Sequence, residues 1–185
     1  DLAMFRTLPE AAVLYPADAV STEQLVESAV KYPGIAYIRT TRGKTPILYG
    51  PEETFPVGGC KVVRQSEQDR VTVVAAGITV HEALAAADEL NKEAVGVRVV
   101  DLYSIKPLDR DTLERCAAQT GTVMTVEDHY AEGGLGEAVA AALPEVAVHI
   151  LAVHKKPRSG TPEELLEDQG ISRTGIARKI RTVLA

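Results

Sequence analysis

The sequence contains little cysteine, and its cysteines form no cluster. Cys60 and Cys116 are far apart, and neither lies at a metal-ligand spacing from another cysteine or a histidine. Such spacing is not that of a disulfide framework or a zinc site. No apolar run approaches the roughly 20 residues that a membrane-spanning helix needs. These absences predict a protein with two reduced thiols, a cytoplasmic location and no membrane partner.

Basic residues are also few, with 20 lysines and arginines against 26 acidic residues and a net charge of -6. Because no basic stripe offsets this charge, we expect no nucleic-acid partner. The glycines of a dinucleotide fingerprint are missing after Gly77, and there is no phosphate-binding loop or nucleophile elbow. The sequence therefore predicts neither NAD or FAD binding nor nucleoside triphosphate hydrolysis.

The first part of the chain has the pattern of one strand–helix–strand unit. A short apolar segment, Val13 to Tyr15, precedes a helix that Ser21 is expected to cap, with Gln24 at the capping-box distance. A buried strand follows at Ile35 to Ile38. One such unit pairs its strands in parallel but cannot bury both faces of a sheet, so the remaining strands must lie elsewhere. Because Asp1 replaces an initiator methionine, we expect the chain to begin within a longer protein.

Three segments are predicted from the change in composition along the chain. Residues 1–45 are expected to end one α/β domain, residues 46–58 to form a linker and residues 59–185 to form a second domain. The linker is inferred because the stretch from Gly43 to Gly59 has three prolines, four glycines and little periodicity.

The third segment alternates between apolar runs and helical patterns. Continuous apolar runs are typical of parallel strands with helices on both faces, and they occur at Val71–Ala76, Val97–Leu102, Val123–Val126 and Val146–Val153. Helices are predicted with Thr79 and Thr161 as their caps, and further helices are predicted to begin near Asp109, at about Leu135 and near Ser172. The predicted fold is therefore α/β: a three-layer, mostly parallel C-terminal domain preceded by the last strand–helix–strand unit of a second α/β domain.

Two groups of side chains are candidates for function. Glu127, Asp128 and His129 follow a strand, but acidic–histidine groups more often form structural networks than catalytic ones, and we expect a structural role. Arg42 follows the strand that ends at Ile38. It could grip a phosphate through its planar guanidinium, or it could form a salt bridge between domains.

Several stretches together resemble the transketolase family. Those at the amino end look like the end of that family's pyrimidine-binding domain: Phe5 to Pro9, Tyr15 to Asp18 and Ile38 to Arg42. Those further on look like its C-terminal domain: Asp101 to Asp109, Val126 to Tyr130, Gly133 to Val139 and Pro157 to Gly160. The order of these stretches and the Glu-Asp-His form are specific to transketolases among related thiamine-diphosphate enzymes.

The resemblance implies part of an enzyme that transfers a two-carbon ketol unit between sugar phosphates in the pentose phosphate pathway. It implies thiamine diphosphate and a divalent metal, Mg or Ca, held by parts of the protein that precede Asp1, so no catalytic, cofactor or metal residue is assigned here. Arg42 alone matches a substrate contact, to the phosphate. The implied partners are sugar phosphates and either a second copy in a homodimer or a complementary N-terminal part. This chain alone is expected to be inactive.

Two alternatives stay open at this point. The chain could belong to a related thiamine-diphosphate enzyme, either a deoxyxylulose-phosphate synthase or a 2-oxoacid dehydrogenase β-subunit. It could also be a non-catalytic interaction module.

Overall fold

The computed structural model describes residues 1–185 as seven helices and eight strands in two sheets. The helices are α1 Leu2–Arg6, α2 Ala19–Val30, α3 Ile78–Asn91, α4 Arg110–Thr120, α5 Leu135–Ala142, α6 Pro162–Asp168 and α7 Arg173–Leu184. The strands are β1 Ala12–Leu14, β2 Ala36–Ile38, β3 Lys61–Arg64, β4 Asp69–Ala75, β5 Gly96–Asp101, β6 Ser104–Lys106, β7 Val123–Tyr130 and β8 Val148–Val153. No helix combines the length and the apolar character that crossing a membrane requires.

The larger sheet has the strand order β3-β5-β4-β7-β8. Four of its strands are parallel, with Val73 of β4 opposite Val99 of β5 and Met124 of β7. Only β3, at one edge, is antiparallel, and it pairs Val62 with Val100. The four apolar runs of the sequence are the four parallel strands, which confirms the predicted fold class.

Helices cover both faces of this sheet. On one face α3 and α7 pack against β4, β5 and β7 through small and branched side chains such as Ala83 and Ile176. On the other face α4 and α5 pack through Leu113 and Leu135 against Val74. The three layers follow directly from the continuous apolar strands, since a strand that is apolar on both sides needs a helix on each.

The smaller sheet has three strands, β2-β1-β6. β1 and β2 are parallel, with Ala12 opposite Ala36, as the strand–helix–strand pattern predicts. The third strand, β6, is antiparallel to β1 and comes from the C-terminal segment. β2 is half-buried rather than buried, because it lies at the edge of the sheet with no strand on its outer side.

Two predicted helix caps are wrong. Asp18, not Ser21, caps α2: its carboxylate accepts from the Ser21 amide at 2.7 Å, and the Ser21 hydroxyl accepts from the Asp18 amide at 3.0 Å. Both residue types favour the cap position, and the aspartate three residues earlier takes it. α3 begins after Gly77, and the Thr79 hydroxyl instead donates to the Val126 carbonyl of β7. The predicted cap Thr161 is confirmed, and α4 and α7 begin next to Asp109 and Ser172, near which their starts were predicted.

The linker carries no helix or strand, but it is anchored in the core. Tyr49 and Phe55 are buried, and their rings pack edge to face with centroids 4.8 Å apart. Phe55 makes a similar contact with Tyr103 of the C-terminal segment, at 5.0 Å. The apolar cores also run through both outer segments, so the division at residues 46–58 stays a prediction.

Candidate substrate-binding site

Arg42 lies in the loop that leaves the carboxyl end of β2, and its side chain is exposed. It forms no hydrogen bond or ion pair within the chain, in contrast to Arg39 three residues earlier. Its guanidinium donors are therefore free to bind an anion from outside. A salt bridge, the alternative interpretation, would need a carboxylate that does not belong to this chain.

Arg39 forms a salt bridge to the C-terminal segment, which is the structural role that the sequence allowed for Arg42. Its Nη1 lies 2.8 Å from Oδ1 of Asp128, and its Nη2 donates to the Asp128 carbonyl at 3.2 Å. Its Nε lies 3.2 Å from a carboxylate oxygen of Asp1, and its guanidinium lies 4.7 Å from the centroid of the Tyr15 ring. Sequence reasoning missed this role, because the main partner is 89 positions away.

Glu127, Asp128 and His129 lie within β7, which extends four residues beyond the predicted end at Val126. The Asp128 carboxylate accepts from the Tyr15 hydroxyl at 3.0 Å, in addition to pairing with Arg39. Nδ1 of His129 lies 2.7 Å from the Tyr130 carbonyl, and burial lowers the pKa of its imidazole.

Glu127 fixes the start of α5. It is 2% exposed, and its two carboxylate oxygens accept from the amides of Leu135 at 2.7 Å and Gly136 at 2.9 Å. These are among the amides that a helix start leaves without an intrahelical partner. Burial raises the pKa of Glu127 to about 7, although the two amide donors act in the opposite direction. All three side chains thus make structural contacts within the chain, and their lack of a role in proton transfer stays a prediction.

One open groove in the C-terminal domain lies away from Arg42. Its volume is about 510 Å³, and its walls include Ala117 and Gly121 before β7, and Leu143 and Ala147 before β8. These residues lie at the amino ends of the strands, opposite the edge where parallel sheets usually bind ligands. We therefore place no substrate there.

A model of the transketolase C-terminal domain matches residues 60–176, which is well over half of the chain. The chain belongs to the transketolase family. A second model, of the transketolase pyrimidine-binding domain, matches residues 1–47. Both predicted parts of a transketolase are thus present, in the predicted order.

Individual transketolases match over the whole length of the chain. It is 52% identical to transketolase-like protein 1 of Bos taurus over 100% of the chain and 32% of that protein. It is 50% identical to human transketolase over 100% of the chain and 30% of that protein. The chain therefore spans about a third of the length of the relatives it matches.

Solved structures show the same fold. A structure described as a split gene transketolase, an inactive beta4 tetramer, superposes with a TM-score of 0.90 at 38% identity, over 98% of this chain and 59% of that one. A transketolase of Campylobacter jejuni superposes with a TM-score of 0.77 over 98% of this chain and 27% of that one. At 20% identity, the second match supports the fold alone.

The family implies thiamine diphosphate and a divalent metal, and the side chains of this chain do not fit the metal. No group of three or more histidine, cysteine, aspartate or glutamate side chains could hold a metal ion. The most buried carboxylates, Asp101 and Glu127, are engaged by Tyr49 and by the start of α5.

Proposed function

We propose that this chain is the part of a transketolase that grips the phosphate of the sugar substrate, through Arg42. The complete enzyme would transfer a two-carbon ketol unit between sugar phosphates in the pentose phosphate pathway, with thiamine diphosphate and a divalent metal bound by its other parts. A cytoplasmic location belongs to the same proposal. The observation that carries it is the exposed, unpaired guanidinium of Arg42 at the carboxyl end of β2, in a chain about half identical to transketolases.

Arg42 would act on binding and orientation rather than on bond making. A guanidinium can donate two parallel hydrogen bonds to a phosphate, whereas a lysine offers a point charge without that fork. The phosphate is remote from the reacting carbons, so its binding energy holds the sugar in a productive position.

Replacing Arg42 by alanine in the complete enzyme should raise the KM for phosphorylated acceptors by roughly tenfold to a hundredfold. This corresponds to about 1.5–3 kcal/mol, the range for one charged hydrogen-bonding group. Steady-state kinetics with a phosphorylated acceptor and with a short unphosphorylated hydroxyaldehyde would measure this rise. The KM for the unphosphorylated substrate should barely change. Arg42→Lys should recover only part of the loss.

Lys44 provides a matched control, because it is an exposed cation two residues away on the same loop. Lys44→Ala should leave both KM values nearly unchanged if the effect depends on the guanidinium and not on local charge. Equal losses with phosphorylated and unphosphorylated substrates in Arg42→Ala would instead mean that Arg42 supports the structure, and the proposal would fail.

We also propose that the chain needs a partner, either a second copy together with the missing parts or a complementary N-terminal part. Isothermal titration of this chain with thiamine diphosphate and magnesium should give no heat beyond dilution, because the proposal assigns both binding sites to parts of the enzyme outside this chain. A micromolar affinity for the cofactor in this experiment would refute the assignment of the cofactor site to other parts of the protein.

A further inference from the structure

The loop that carries Arg42 has no hydrogen bonds of its own. Residues 40–47 take part in none of the backbone hydrogen bonds outside helices and strands, and most of them are exposed. The position of Arg42 is therefore set by the two ends of the loop. Both ends are attached firmly to the rest of the molecule.

The first attachment is at Arg39. Its amide donates to the Leu14 carbonyl of β1 at 2.9 Å, and its guanidinium is held by Asp128 of β7. The side chains of Arg39 and Asp128 are only 20% and 16% exposed, so solvent screens this ion pair less than one at the surface. The ring of Tyr15 covers the guanidinium, and the Tyr15 hydroxyl binds the same carboxylate.

The second attachment is at Leu48 and Tyr49. The buried carboxylate of Asp18 accepts from both of their amides, at 2.7 and 3.0 Å. The Tyr49 hydroxyl donates to Oδ2 of Asp101, at the carboxyl end of β5, at 2.6 Å. The carboxylate of Asp18 thus comes from the same segment as the loop, and that of Asp101 comes from the C-terminal domain.

We propose that Asp128 and Asp101 of the C-terminal domain are positioning residues that hold the Arg42 loop at both ends and thereby keep Arg42 aimed at the substrate phosphate. This inference rests on the proposed function of Arg42. A loop fixed at both ends samples fewer conformations, so its guanidinium loses less freedom when it binds. The C-terminal domain would in this way contribute to substrate selectivity.

The test is made in the complete enzyme with Asp128→Asn and Tyr49→Phe, each alone and combined with Arg42→Ala. Asp128→Asn removes the charge that holds Arg39 and keeps an oxygen for the Tyr15 hydroxyl, and Tyr49→Phe removes the hydroxyl that reaches Asp101. Each should raise the KM for a phosphorylated acceptor about threefold to tenfold and leave kcat and the unphosphorylated substrate nearly unchanged. Added to Arg42→Ala, neither should cause a further rise in KM.

Gly121→Ala is the control for a general loss of stability, because Gly121 ends α4, on another part of the fold. Gly121→Ala should not change the ratio of the KM values for the phosphorylated and the unphosphorylated substrate. If Asp128→Asn and Tyr49→Phe affect both substrates equally, or if their effects add fully to that of Arg42→Ala, the positioning role is refuted while Arg42 keeps its own. If Arg42→Ala does not raise the KM for phosphorylated substrates more than the KM for unphosphorylated ones, the proposed function of Arg42 is itself refuted.

Discussion

Gly77→Ala should destabilise the protein by about 2–6 kcal/mol, a large share of the stability of an ordinary domain. Gly77 lies between β4 and α3 with φ +59° and ψ -132°, a conformation that costs other residues about 1–3 kcal/mol. A Cβ atom there would lie 2.0 Å from Cζ of Tyr15. The ring cannot yield easily, since the Tyr15 hydroxyl is bound to Asp128, and such overpacking adds about 1–3 kcal/mol.

Chemical denaturation of Gly77→Ala and of Gly121→Ala would separate the cost of the backbone conformation from the cost of overpacking against Tyr15. Gly121 also has a positive φ, +69°, but a Cβ atom there would meet nothing within 4 Å. Gly121→Ala should therefore cost only about 1–2 kcal/mol, the backbone part. Tyr15→Leu should relieve part of the loss in Gly77→Ala. Equal losses in the two alanine variants would show that the Tyr15 ring is not packed on Gly77, and thus that the first segment is not fixed to the C-terminal domain as described.

The parts of the fold that the sequence predicts well are those with strong local patterns. The four parallel strands are buried on both faces, so their apolar runs are continuous and stand out. β3 and β6 were missed because they are short: β3 begins with Lys61 and ends with Arg64, and β6 has three residues. Neither shows the apolar run of a buried strand.

In the candidate site, too, only the residues with local sequence signals could be predicted. Arg42 could be proposed from its place after a strand and from the family resemblance, since both are local features. The contacts that hold the Arg42 loop could not be predicted. Arg39 contacts Asp128 across 89 positions of the sequence, and Tyr49 contacts Asp101 across 52. No spacing rule links residues so far apart. The tyrosine in a segment rich in proline and glycine gave no sign that it would be buried.

The free energy of unfolding should fall by up to about 4 kcal/mol between pH 4 and pH 8 because of Asp101 alone. Its carboxylate is fully buried, and burial raises its pKa to about 7. Tyr49 binds one oxygen and acts in the opposite direction, whereas Oδ1 has no hydrogen-bond partner. An ionised carboxylate with a bare buried oxygen is costly, so the folded state favours the protonated form.

The direction of the pH effect follows from the protons bound in each state. An aspartate in the unfolded chain has a pKa of about 3.9, so between about pH 4 and pH 7 the folded state binds more protons. Stability therefore falls as the pH rises through this window, and a difference of about 3 in pKa, at about 1.36 kcal/mol each, sets the upper bound. Glu127 acts in the same sense, whereas the lowered pKa of His129 acts in the opposite sense.

Asp101→Asn isolates the contribution of Asp101, because the amide oxygen can still accept from Tyr49 but no proton is exchanged. Urea denaturation of both proteins at several pH values from 4.5 to 8 would give the difference, in which the contributions of Glu127 and His129 cancel. The variant should lose stability less steeply than the wild type as the pH rises, and its relative stability should be greatest at pH 8. Glu127→Gln is the matched comparison, since it removes the other carboxyl group with a pKa near 7. Parallel pH profiles for Asp101→Asn and the wild type would show that Asp101 is already ionised in the folded protein at pH 4.5, and so that water reaches Oδ1.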